Sequence, residues 1–84
     1  MDEAEKLLER MKATRFGWKE RDLESLYLGF GFEMREGTNH RIYWHPRFPE
    51  LYAVVPRHRQ VKGQYVTIAI KKILRLKELE AGNA

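Results

Sequence analysis

The sequence predicts an α+β domain of two layers, ordered αα-βββ-α, with the helices segregated to one side of a three-stranded antiparallel sheet. Three observations lead there. Apolar residues recur at helical spacing near both ends of the chain, and two-residue alternation broken by turn residues fills its middle. At 84 residues, 43% hydrophobic and 33% charged, the chain has the composition of a globular protein with room for one core. With no internal repeat or low-complexity tract, residues 1–84 read as a single domain.

A first helix is expected from Asp2 to Lys12, where Ala4, Leu7, Leu8 and Met11 share a face. Its acids come early and Arg10 and Lys12 late, as the helix dipole favours. In so small a chain its apolar face is expected to pack on its own domain, the alternative being a partner protein. After a break at Phe16-Gly17-Trp18, a second helix is expected from Lys19 to Leu28, with Leu23, Leu26 and Tyr27 on one side and Gly29 as its stop.

Beyond Gly31 the chain becomes extended. Phe32 and Met34 alternate with Glu33 and Arg35, and Glu36-Gly37-Thr38-Asn39 supplies the turn of a hairpin. The returning strand runs from His40 to His45 and stops at Pro46, which holds His45 extended and cannot donate to a ladder. Leu51 to Val55 forms a third strand ended by Pro56, and Arg57-His58-Arg59-Gln60 is a polar connector. A closing helix from Gln64 to Glu80 places Val66, Ala69, Ile70, Ile73, Leu76 and Leu79 along one stripe, with Lys71, Lys72, Arg75 and Glu78 elsewhere.

Several classes of protein are disfavoured by what the chain lacks. No apolar run approaches the roughly 18 residues of a membrane helix, and Met1-Asp2-Glu3 is the opposite of a basic leader, so a cytoplasmic location is expected. Without cysteine there is neither disulfide nor thiolate metal site. The three histidines form no His-x-x-x-His pair and have no carboxylate cluster beside them, so neither a metal nor a cofactor is expected. No Gly-rich phosphate loop, Ser-His-Asp set or paired acid dyad is evident.

The net charge of +4 is unevenly spread. Residues 1–36 hold seven Lys/Arg against nine Asp/Glu, whereas residues 37–84 hold nine against three together with His40, His45 and His58. A cationic half suits a polyanion, because clustered cations gain affinity by releasing counterions from phosphates; ordinary solubilising charge is the alternative.

The segments Gly31-Phe32-Glu33, Glu36-Gly37-Thr38-Asn39-His40-Arg41-Ile42-Tyr43, Val55-Pro56-Arg57-His58 and Lys72-Ile73-Leu74, in that order, are similar to the HicA toxins. These are mRNA interferases of type II HicA/HicB toxin-antitoxin pairs. The resemblance covers residues 18–80 and leaves residues 1–15 as an extra N-terminal helix. It implies a fold like that of double-stranded-RNA-binding domains, sequence-relaxed cleavage of mRNA, and neutralisation by a HicB-like antitoxin that occludes the active site. The family's usual form has its catalytic histidine directly after Gly-Ser; here Asn39 follows Gly37-Thr38, and the role lands on His40.

Metal-independent RNA cleavage needs a base for the ribose 2′-OH, a cation for the phosphorane-like transition state and an acid for the leaving oxygen, and histidine serves as either acid or base near neutral pH. Strand alternation puts His40 with Ile42 and Trp44, and Arg41 with Tyr43 and His45 on the other side. If the latter face is open, its cation, ring and imidazole suit phosphate contact and base stacking; if it is covered, they are packing residues. Arg57, His58, Arg59 and Lys62 are further candidates for RNA contact. Gly37, Thr38 and Asn39 shape the turn at the site, and Lys71, Lys72 and Arg75 are either backbone contacts or a solvated helix face. A non-catalytic RNA-binding module is the competing expectation.

Overall fold

A computed structural model describes residues 2–82. Its elements run α1 (Glu3–Ala13), α2 (Glu20–Gly29), β1 (Glu33–Glu36), β2 (His40–Trp44), β3 (Tyr52–Pro56) and α3 (Gly63–Gly82). The expected α+β order is therefore present. The strands form one antiparallel sheet in the order β1-β2-β3. Among the described residues, no helix is long and apolar enough to cross a membrane.

Local chemistry sets the helix ends. The Asp2 carboxylate accepts from the Glu5 N–H at 2.8 Å and caps α1, while the Arg15 guanidinium donates to the carbonyls of Met11 (2.8 Å) and Lys12 (2.6 Å) at its far end. The end of α2 departs from expectation. Gly31, at φ 88°, is the residue that turns the chain: Phe32 N–H donates to the Tyr27 carbonyl (3.0 Å) and Gly31 N–H to that of Leu28 (3.1 Å), a Schellman motif. Gly29 lies inside the last turn instead. A Cβ there would fall 2.6 Å from the Ala4 Cβ, so this glycine lets α1 and α2 approach.

The first helix belongs to the core. Leu8 and Met11 are fully buried in the same cluster as Leu23, Leu26, Tyr27, Tyr43, Val66, Ile73 and Leu76. Arg10 stacks over Trp18, and Lys77 of α3 pairs with Glu5. The apolar face of α1 is thus taken up within its own domain.

The helices cover one side of the sheet. Tyr43, Ala53 and Val55 are buried beneath them, whereas Tyr52 and Val54 are 57% and 47% exposed on the other side. In the β1-β2-β3 register, Glu33 faces Trp44 and Trp44 faces Tyr52, while Arg35 faces Ile42 and Ile42 faces Val54. Strand alternation places all six on that open side.

Candidate nucleic-acid interface

One end of the sheet gathers most of the expected site residues. The two-residue connection Thr38-Asn39 closes the β1-β2 hairpin, with Gly37 N–H donating to the His40 carbonyl at 2.8 Å. A Cβ on Gly37 would lie 3.2 Å from that oxygen, so the glycine allows the tight return. Arg57 N–H donates to the Asn39 carbonyl at 3.0 Å, which fixes the chain leaving β3 beside the hairpin turn. The same connector is held to the start of α2: Lys19 and Gln60 form an antiparallel bridge, and Val61 N–H donates to the Trp18 carbonyl at 2.9 Å.

This arrangement forms a cleft lined by Lys19, Glu20, Arg21, Arg57, His58 and Arg59. Its acid, Glu20, is engaged, with Arg41 at 3.5 Å and Arg57 at 3.4 Å. Lys19, Arg21 and Arg59 have no acidic partner among the described residues. The cleft is therefore cationic, and the N-terminal N–H groups of α2 add to its positive potential.

Lys19 and Arg21 are not apparent as site residues in the sequence, where they read as an ordinary helix start. A signal was present, however: a cation in the first turn of a helix opposes the dipole, and Arg21 occupies that place in α2.

His40 stands apart from the cleft. It is exposed at the start of β2 opposite Pro56, on the open side of the sheet, and its imidazole makes no hydrogen bond, ion pair or ring contact among the described residues. The hairpin turn and His40 thus share one end of the sheet with His58, but on different sides. Lys62 is exposed at the entry to α3 and does not line the cleft.

The expectation of an open face bearing Arg41, Tyr43 and His45 is corrected by the structure, because that is the side the helices cover. Tyr43 is fully buried and His45 is 4% exposed. The His45 ring meets Phe32 edge-on with centroids 5.2 Å apart, and its Nδ1 accepts from the Arg47 N–H at 3.2 Å. Its Nε2 lies 3.3 Å from where a Cβ on Gly31 would be, so His45 packs against the α2 terminator. All three are framework residues.

Arg41 is the hub of an acidic cluster. Its guanidinium donates from Nε and Nη2 to Glu36 Oε1 (2.9 and 2.6 Å) and from Nη1 to Glu24 Oε1 (2.7 Å). Burial opposes its charge, but Tyr43, Glu36 and Glu20 more than offset this and hold it above the ordinary arginine range. Tyr27 stacks on Tyr43, and burial pushes both phenols above their ordinary range. For Tyr27 the neighbouring Tyr43 adds to the rise; for Tyr43 the Arg41 charge works against it.

Among the described residues, no three His, Cys, Asp or Glu side chains come together as a metal site. Compared with known proteins, the chain matches no family model, no curated protein and no solved structure at a significant level.

Proposed function

We propose that this protein is an RNA-cleaving toxin of the HicA kind, a metal-independent mRNA interferase that a HicB-like antitoxin neutralises. The observation that carries the RNA reading is the cationic cleft: Lys19, Arg21 and Arg59 without acidic partners, beside Arg57 and His58, at the end of the sheet that also bears His40. The order α2-β1-β2-β3-α3 is that of a double-stranded-RNA-binding domain, with α1 added in front. The phosphate backbone sits along the cleft, held by charge without base readout.

In the reaction, a histidine takes the 2′-OH proton, the oxygen attacks the adjacent phosphorus, and a protonated group gives its proton to the departing 5′ oxygen. The products are a 2′,3′-cyclic phosphate and a free 5′-hydroxyl. His40 is the first candidate for the base, carried by its resemblance to the family's histidine. His58 competes for either role because it lines the cleft itself.

The test is incubation of purified protein with RNA in excess EDTA, comparing His40→Ala and His58→Ala with the parent. Cleavage that disappears in His40→Ala, with folding retained, supports the assignment. Loss only in His58→Ala transfers the role. Salt-sensitive binding with the RNA recovered intact in the parent protein overturns the enzyme reading in favour of a binding module.

A further inference from the structure

The Lys71, Lys72 and Arg75 run is not part of the cleft, and it borders the free edge of the sheet. Strand β3 is an edge strand. The bonds His45 N–H to Leu51 C=O and Arg57 N–H to Asn39 C=O, both 3.0 Å, set the alternation of its ladder with β2. Val55 and Ala53 exchange bonds with Arg41 and Tyr43, so the N–H and C=O groups of Tyr52 and Val54 point away from the sheet.

Beside them runs a groove lined by Tyr52, Val54, Tyr65, Ile68 and Lys72, continued by a second one lined by Leu51, Ile68, Lys71, Lys72 and Arg75. Ile68, Lys71, Lys72 and Arg75 follow helical spacing and form one stripe of α3. No acid lines either groove. Lys71 and Lys72 have no acidic partner among the described residues, and Lys72 Nζ lies 6.0 Å from the Tyr52 ring centroid.

We infer that this edge binds an extended acidic segment of another protein, which adds to β3 as a fourth strand. Backbone pairing to Tyr52 and Val54 supplies the register, carboxylates at the alternate positions that face α3 meet Lys71 and Lys72, and the intervening apolar side chains lie on the open side of the sheet beside Tyr52 and Val54. Charge selects the occupant. A second copy of this chain pairing through β3 brings two cationic stripes to one edge, whereas an acidic strand neutralises one. The edge carries no bulge, and its proline, Pro56, is at the end, so pairing is open at Tyr52 and Val54. The inference is independent of the ribonuclease reading.

The probe is a fluorescein-labelled hexapeptide of alternating glutamate and valine, titrated with the full chain and followed by anisotropy and by amide NMR shifts. Shifts centred on Tyr52 and Val54 are expected, with affinity falling about tenfold in Lys71→Glu/Lys72→Glu, the scale of reversing two surface charge pairs. Val54→Pro, which removes an outward N–H, abolishes binding, and Val54→Thr retains it. Equal binding of the lysine-valine counterpart, unchanged affinity in the charge-reversed protein, or no binding at millimolar peptide each overturns the inference. So does a β3-dependent dimer in sedimentation, or an RNA oligonucleotide that competes for these cations.

Discussion

Tyr27 and Tyr43 lie ring on ring, centroids 4.3 Å apart and planes 20° from parallel; the buried Tyr27 hydroxyl has no hydrogen-bond partner among the described residues, while that of Tyr43 lies beside the Arg41 guanidinium. Each ring comes from a different layer, one from α2 and the other from β2, so the stack joins helix to sheet at the centre of the core. The Tyr27 hydroxyl is what the stack gives up.

Tyr27→Phe keeps the ring and removes a buried polar group that has lost its water. It is expected to raise stability by about 1 kcal/mol, a gain of about 4–8 °C in Tm for a domain of this size. Urea denaturation of parent and variant measures it; a destabilised variant refutes the accounting.

Alkaline pH should reveal the same pair. Both phenols are raised above their ordinary value in the folded chain, so they favour the fold fully below about pH 10. Above it the unfolded chain gives up protons that the native one keeps, and stability falls as pH rises. Tyr27→Phe should shallow that fall between about pH 10 and 12. Parallel curves for the two proteins count against it.

The three histidines should separate by what they do. His45→Ala removes a buried ring from between Phe32 and Phe48 and is expected to cost about 2 kcal/mol. His40→Ala, at an exposed position, should change stability by less than about 0.5 kcal/mol. Thermal melts decide, and a large loss in His40→Ala makes any effect on RNA uninterpretable as catalysis.

Arg41→Met leaves Glu20, Glu24 and Glu36 around an apolar side chain. The expected cost is about 2 kcal/mol, below that of a fully buried pair because Glu36 is 45% exposed. Arg41→Lys should recover only part of it, since an ammonium cannot fork between two carboxylates. A fully stable Arg41→Met would show that the cluster does not hold α2 to the sheet.

In the cleft, Lys19→Ala, Arg21→Ala and Arg59→Ala should each lower the slope of log affinity against log salt for single-stranded RNA by about 0.7. Lys62→Ala, outside the cleft, should leave it unchanged. Slopes that respond to Lys62 alone would move the interface to the entry of α3.

Elements with strong periodicity were legible in the sequence: Leu8 and Met11, Leu23 to Tyr27, and Val66 to Leu76 each trace a buried stripe in the structure. The side of β2 that is covered was not. His40, Ile42 and Trp44 are as plausible a core face as Arg41, Tyr43 and His45, and only packing decides between them. Partners brought by α2 decide it here, because Glu20 and Glu24 neutralise Arg41 and Tyr27 receives Tyr43. The cleft was half legible for a related reason: Arg57, His58 and Arg59 are consecutive, but Lys19 and Arg21 join them through tertiary pairing, the Lys19-Gln60 bridge and the Val61-Trp18 bond.

The Glu5-Lys77 pair ties the first helix to the last across most of the chain. During synthesis Leu8 and Met11 emerge early, while Ile70, Ile73 and Leu76, which complete the core around them, come near the end. A chain that stopped short of α3 would leave Leu8 and Met11 packed on α2 alone, without the side chains that close the core over them, so the last helix completes the burial of the first.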